Sequence, residues 1–540
     1  MKQNITFSYI PTTCFRTERP AFFHKGAAPK DTDVQIEKFI RKIKEVIARD
    51  EFTFVVGGKA YMAHPKWIRD HIHEMKAFKH WEYDLREYLE FMAEHQDKEG
   101  FFYEMVQPDT DYHSHLMPEK FMKHIDGEEL TMVRIEAEAD IEYLMVEGAV
   151  AAYQATGDNE WMKKMLPALE KGINYLTSHP TRWDTEHGLV KRPFTIDTWD
   201  FMDTEKDIRW IDEHTPMSVM HGDNTGVYEA MKSLAWINRR FGKMEKAKEW
   251  EERADILLEN LNKYCWNGTF YTHQLHLNHN GKDEKENERL SLSNTYDMNR
   301  GATTIEQAQS IIREYKRRRD AGHTFAEWFT IDPPYESFRP IYKAGEYING
   351  TVCSIVAGEL ARAALQNGEE EYGWDILKRL MSLQEKDGEL YFMYNPKTGE
   401  NAGGGPSGWG CASVLTAIEE GLAGIIDKGV CYDALYFSPK WVITEYESIK
   451  YMTGYRVSHT LVETYYEKRE NGMYYSLRCP SKTIQCHVLL PQSCQVSEVT
   501  VNQQSIEHAI SWVGESTYVD FNIERNACES DTIEIQINLL

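Results

Sequence analysis

Nowhere does the 540-residue chain hold the roughly 18 consecutive apolar residues that a membrane-crossing helix needs, so no such span is expected. Positive charge is scarce: 61 Lys and Arg face 86 Asp and Glu, a formal charge of −25 that repels a phosphate backbone or an anionic bilayer. Neither nucleic acid nor a membrane is therefore an expected partner. The nine cysteines are odd in number and lack metal-ligand spacing, and Cys353 and Cys411 sit in apolar runs as free buried thiols do. No Gly-rich phosphate loop followed by Lys-Ser or Lys-Thr occurs. His64, His71 and His73 show no His-Glu-x-x-His pattern, so neither a metal nor another cofactor is expected. The start of the chain has no apolar run of about seven residues after Lys2, unlike a secretory signal, and a cytoplasmic protein is expected.

Present instead is ample material for burial, with 41% apolar residues, 14 Trp and 30 Tyr. The length exceeds what one hydrophobic core commonly supports, so more than one domain is expected. Residues 1–30 read as strand-like or irregular. Helical periodicity then runs over 32–50, 66–95 with a break, 138–157, 160–178, 222–241, 244–263, 302–318, 349–366, 370–384 and 408–424, about eleven helices. They come in pairs joined by short turns at Gly157, Gly242 and Gly368, where glycine closes one helix and acidic residues open the next. The Lys316–Arg319 run reads as a basic helix end. Long polar, aromatic-rich segments near 96–133, 180–221, 264–300, 320–348 and 385–408 separate the pairs. If stacked hairpins close into a ring, all of these segments fall at one end. After about residue 428 the texture changes to alternating β-branched and aromatic strands, as in Thr460–Glu467 and Thr532–Ile537. The expected division is 1–30, a helical domain over 31–427 and a β-sandwich over 428–540.

The segment Thr195-Ile-Asp197-Thr-Trp199-Asp200-Phe-Met-Asp203 places three carboxylates and an indole in a short non-helical stretch. Glycosidic bond cleavage needs an acid near the bridging oxygen, a second carboxylate across the ring and flat aromatics against the sugar's C–H face. Asp223 and Asn224 stand before an apolar periodic run, where capping is the default role and a pocket-facing one the alternative. Trp409, within Gly403-Gly-Gly-Pro-Ser-Gly-Trp409-Gly, suits the mouth of a pocket.

Trp67-Ile-Arg69-Asp70, Glu138-Ala-Asp140, Asp197-Thr-Trp199-Asp200, Gly222-Asp223-Asn224-Thr-Gly226, Tyr264-Cys-Trp266 and Gly345-Glu346-Tyr347-Ile-Asn349-Gly350 occur in an order that resembles the six-hairpin glycosidases. That group includes glucoamylase-like enzymes, amylo-α-1,6-glucosidases and processing α-glucosidases. The resemblance covers most of 60–425 and implies a mainly α fold, an (α/α)6 toroid of helical hairpins followed by the β-sandwich. It implies a glycoside hydrolase acting from chain ends on an α-linked oligosaccharide or small glycoside, with inversion. By order, Asp200 matches the general acid, with Asp197 and Asp203 as runners-up. Relatives carry the base as Glu in a Tyr-Glu-Asn-Tyr-Asn-Pro-like stretch; here Phe392 takes that place in Tyr391-Phe392-Met393-Tyr394-Asn395-Pro396. Glu346, Glu400 and Glu389 are the remaining candidates, Glu346 first. Trp67, Arg69, Asp70, Asp197, Trp199, Asp203, Asp223, Asn224, Asn349 and Trp409 are expected to hold the sugar. Phe392 also keeps open a phosphorylase, in which phosphate replaces water, and an inactive sugar-binding protein. An epimerase or lyase would need essential histidines instead. The sequence does not fix an oligomeric state.

Overall fold

The computed structural model describes residues 35–111, 117–199, 202–204, 209–277, 285–322, 324–525 and 532–540; the strand-like reading of 1–30 lies outside the described residues. Twelve α-helices occur among them: α1 Gln35–Arg49, α2 Ile68–Phe78, α3 Glu87–Glu94, α4 Ile141–Thr156, α5 Asn159–Leu176, α6 His221–Arg240, α7 Met244–Cys265, α8 Ser293–Asn299, α9 Ile305–Ala321, α10 Ser354–Gln366, α11 Glu370–Asp387 and α12 Gly408–Thr416. The even-numbered helices α2, α4, α6, α8, α10 and α12 pack each on the next, and α12 returns to α2. Partners lie outside them: α5 on α4, α7 on α6, α9 and α11 on α10, and α1 on α12.

Local chemistry explains the pairing. Gly157, Gly242 and Gly368 take φ of 70°, 74° and 83°, the left-handed geometry that ends a helix without a Cβ clash. Asp158 then accepts from the Trp161 amide at 3.0 Å and starts α5. The expectation omitted α8, placing 264–300 in a loop. Its sequence, Ser-Asn-Thr-Tyr-Asp-Met-Asn, has low helix propensity, and the first six residues are buried, so no polar face gives it a period. Neighbouring helices and a carboxylate from another loop hold it instead.

Long segments precede α2, α4, α6, α8, α10 and α12, so all of them meet at the N-terminal ends of this inner set. Ion pairs cross the opposite end: Lys76 with Glu147 (3.2 Å) and Glu359 (3.4 Å), Arg300 with Glu229 (3.4 Å), and Arg362 with Glu420 (2.5 Å). They line a cavity of about 140 Å³. Tyr296 stands above this charged floor, with Lys76 Nζ 5.2 Å from its ring centre.

A π-helical turn, Ala417–Leu422, leads into two sheets. One orders Ile425–Asp427, Ala434–Phe437, Thr483–Leu489, Ser516–Glu524 and Ala509–Val513; the other orders Ser448–Tyr455, Thr460–Arg469, Gly472–Arg478, Ile533–Leu539, Val496–Val501 and Gln504–Ser505. Alternating burial along the strands turns one face of each inward, and Phe437 of the first sheet meets Tyr475 of the second edge to face at 5.7 Å. Ser516 Oγ donates to Glu370 of α11 at 2.6 Å and Thr453 Oγ1 to Glu419 at 2.7 Å, tying the strands to the helices.

This packing makes two outcomes testable. A Cβ on Gly358 of α10 would stand 2.6 Å from the backbone of Ser413 and Val414 in α12. Gly358→Ala is expected to cost about 1–3 kcal/mol by overpacking, read by urea unfolding. Glu419 is lifted from 4.5 to about 7 by burial, against hydrogen bonds from Thr453 and Tyr432. Between those values the folded chain keeps a proton that the unfolded chain has lost, so stability falls as pH rises through that window, by up to about 1.4 kcal/mol per unit. Glu419→Gln is expected to remove the slope. A slope identical in variant and wild type would refute the assignment.

Candidate active site

The ring of long segments is anchored helix start by helix start. Trp67 bridges to Met105, and the Ile68 amide donates to Glu104 O at 2.7 Å, which fixes where α2 begins. Arg69 then reaches the start of α4. Its Nε and Nη2 lie 2.5 and 3.0 Å from the Asp140 carboxylate, and Nη2 lies 2.6 Å from Glu138 Oε1. The guanidinium expected to hold sugar hydroxyls is thus engaged between two helices. Asp70 remains half-buried; burial raises it to about 6, against Arg69 and with help from Asp50 and Glu138.

At α6, Asn224 does not cap its own helix. Its amide accepts from Val190 N (2.8 Å) and donates to Val190 O (3.0 Å) and Met220 O (2.8 Å), clamping the strand Leu189–Pro193. Asp223 lies in the first turn, 1% exposed, with neither carboxylate oxygen hydrogen-bonded among the described residues. Arg192 Nη1 stands 3.6 Å away. Burial raises Asp223 to about 6, opposed by Arg192 and reinforced by Asp140 and Asp197.

The Asp203 amide donates to Phe194 O at 3.0 Å, which brings Asp203 back to the residue before Thr195. Asp197 takes φ of +53°, which Asp tolerates better than most residues. Its carboxylate accepts from the Ser293 amide at 3.0 Å and from Ser293 Oγ, so it caps α8 from outside. Gly222 permits this approach, since a Cβ there would meet Ser293 Oγ. Asp203 accepts from the Arg339 amide at 3.2 Å. Asp200 lies outside the described residues. Just before it, the Trp199 carbonyl accepts from Arg192 Nη2 and from Thr195 Oγ1, while the buried Trp199 Nε1 has no hydrogen-bond partner among the described residues.

Trp199 gathers the aromatics. Its ring centre lies 5.8 Å from Tyr347, 5.6 Å from Phe392 and 6.5 Å from Trp409. Trp409 stacks on His73 at 4.1 Å and 9°, and its Nε1 donates to Tyr296 Oη at 2.8 Å. Three loops and the first turn of α12 therefore build one aromatic wall; Trp409 rests on His73, one turn after Asp70 on α2, and the Trp199 carbonyl accepts from Arg192, which faces Asp223. Hydrogen-bonding groups without partners beside flat rings suit a ligand rich in hydroxyls and C–H faces.

The proposed second carboxylates stand apart from this buried set. Glu346 is exposed and accepts from the Lys343 amide at 3.0 Å; Glu400 is exposed beside Thr398; Glu389 pairs with Arg49 at 2.6 Å. Asn349 is committed to the protein, accepting from Tyr335 N at 2.9 Å and donating to Tyr335 O at 3.0 Å. Arg192, His273 and Ser293 went unmarked in the sequence, since none stands in a spacing that announces a partner; His73 was set aside as a metal ligand and here stacks on Trp409. Ser291, His221 and Asp297 line up as in acyl-transfer enzymes, at 2.9 and 2.6 Å. Ser291 and Asp297 are nevertheless wholly buried, out of reach of a substrate carbonyl. Among the described residues, no three His, Cys, Asp or Glu side chains are arranged to hold a metal ion.

Residues 66–410 match the model of a family described as the mannosylglycerate hydrolase MGH1-like glycoside hydrolase domain. No curated protein matches the chain significantly. Among solved structures, an α-L-rhamnosidase from Dictyoglumus thermophilum is similar with a TM-score of 0.54 and 13% identity, covering 87% of this chain and 46% of that one. Streptomyces avermitilis α-L-rhamnosidase complexed with L-rhamnose gives 0.53 and 11%, covering 93% and 41%. The GH63 mannosylglycerate hydrolase from Thermus thermophilus in complex with glucose gives 0.49 and 16%, covering 71% and 99%. The chain thus spans less than half the length of the two rhamnosidases, and at such identities the likeness to them is one of fold.

Arg69→Met leaves Asp140 and Glu138 buried without their countercharge. The expected loss is about 3–5 kcal/mol in urea unfolding. A loss below about 1 kcal/mol would mark the pair as solvated.

Proposed function

The chain belongs to the mannosylglycerate hydrolase MGH1-like glycoside hydrolase family, and on that premise we propose that it cleaves an α-linked sugar from the end of an oligosaccharide or small glycoside, with inversion. The observation that carries this reading is the wall of Trp199, Tyr347, Phe392 and Trp409, joined through His73 to the helix that bears Asp70 and through Arg192 to Asp223, whose carboxyls are pushed up to about 6. The closed sequence of inner helices is read as an (α/α)6 toroid over 31–427, followed by the sandwich of 428–540. Charged pairs across its far end favour a blind pocket and hence attack at chain ends.

Asp200, directly after Trp199, is the proposed acid that protonates the leaving oxygen. Glu346 is the proposed base that activates water on the opposite ring face. In inverting enzymes the two carboxyls stand about 6.5–9.5 Å apart to admit that water. Glu346 ranks above Glu400 because its turn carries Tyr347 against Trp199. Trp67, Asp70, Trp199, Asp223 and Trp409 are the proposed sugar contacts. Arg69, Asp197, Asp203, Asn224 and Asn349 shape the site through the protein bonds they already make. A second reading, a phosphorylase, draws on Phe392, which meets Trp199 where relatives carry a carboxylate.

A screen of aryl α- and β-glycosides, natural disaccharides and mannosylglycerate, with and without phosphate, tests both. Water-dependent release of the inverted sugar, reduced about 10²–10⁴-fold in Asp200→Asn, is expected. Release only with phosphate would select the second reading. Unchanged turnover in Asp200→Asn would move the acid elsewhere.

A further inference from the structure

Asp197, three positions before Asp200, is held by a buried histidine. His273, wholly buried, brings Nε2 to 2.9 Å from the Asp197 amide nitrogen. A backbone N–H can only donate, so Nε2 must carry a lone pair and the ring proton must sit on Nδ1. Nδ1 lies 3.0 Å from Glu286 Oε2 and 3.0 Å from Tyr335 Oη, both able to accept that proton. Tyr335 Oη donates in turn to Glu286 Oε1 at 2.6 Å. Burial opposes a charge on Glu286, but hydrogen bonds from His273, His276 and Tyr335 outweigh it and hold the carboxyl well below its usual range. An ionised Glu286 accepts only, which fixes the tautomer of His273. Asn349 completes the support by gripping the backbone of Tyr335 on both sides.

The residue so held is the left-handed Asp197, three positions before Asp200. Its carboxylate is anchored by Ser293, and its amide by His273. With both ends of one residue fixed, the direction in which the chain leaves through Trp199 is set.

We infer that His273, held in its Nδ1–H tautomer by Glu286, is a positioning residue for the acid-bearing turn. This rests on the reading of Asp200 as the acid. The physical ground is the demand of proton transfer for placement within hydrogen-bond reach, so a turn free to rotate about Asp197 loses acid catalysis before it loses sugar binding.

Leaving-group dependence separates this role from a merely structural one. A glycoside with a poor leaving group, phenol, needs the acid; one with a good leaving group, 2,4-dinitrophenol, hardly does. His273→Ala is expected to lower kcat for the phenyl glycoside about 100-fold and for the dinitrophenyl glycoside less than about tenfold, with KM little changed. His273→Gln, which returns an acceptor near the place of Nε2, is expected to recover most of the loss. If the alanine variant does not fold, Glu286→Gln, which frees the tautomer, is expected to show the same selective loss in weaker form. Equal slowing of both glycosides, or none, in a folded variant overturns the inference while leaving the hydrolase reading intact. A wild type that cleaves no glycoside overturns both.

Discussion

Six helices that start at the same opening bring six positive dipole ends together, and the site is organised by the acidic side chains that answer them. Asp70 and Asp223 sit in the first turns of α2 and α6, and Asp140 precedes α4. Asp197 reaches α8 from another loop, and Glu74 with Asp50 crowds the α-carbon of Gly408 at the head of α12. A net negative rim follows from this geometry. Buried carboxylates near one another cannot all ionise freely, so those without a full set of donors are driven toward neutrality while Asp140, gripped by Arg69, is held low. Proton donors and acceptors useful near neutral pH thus arise where burial outweighs the pull of the helix starts toward ionisation.

Aromatic contacts complete that arrangement. Trp409 is fixed by His73 and Tyr296, and Trp199 meets three rings from two loops and α12. Tyr296 links two regions of different character: its hydroxyl serves the aromatic wall, while its ring takes the Lys76 ammonium of the charged floor. A change in the floor can therefore reach the wall through one side chain.

Much of this was legible in the sequence, for stated reasons. Amphipathic periods and glycine turns located eleven helices; α8, seven residues long with its first six buried, lacks a polar face to set a period. Trp199 and Trp409 were marked as site residues by residue type, and the structure seats them 6.5 Å apart. Asn224, Asn349 and Arg69 show the limit of such reading. Each has the chemistry to bind a sugar, and each uses it on backbone or on a buried carboxylate. Only the folded arrangement reveals which partner arrives first. The Glu286–His273–Asp197 chain left no trace at all, since its members are 13 to 89 residues apart and share no motif.

The ion pairs across the C-terminal ends of the inner helices also bear on traffic. On the proposed chain-end reading, a passage blocked at one end has a single door, so a product backs out the way its substrate entered, and a polymer is not threaded through and clipped repeatedly without letting go. Successive cleavages of a long chain would each require release, diffusion and fresh capture, which favours short substrates whose departure is quick.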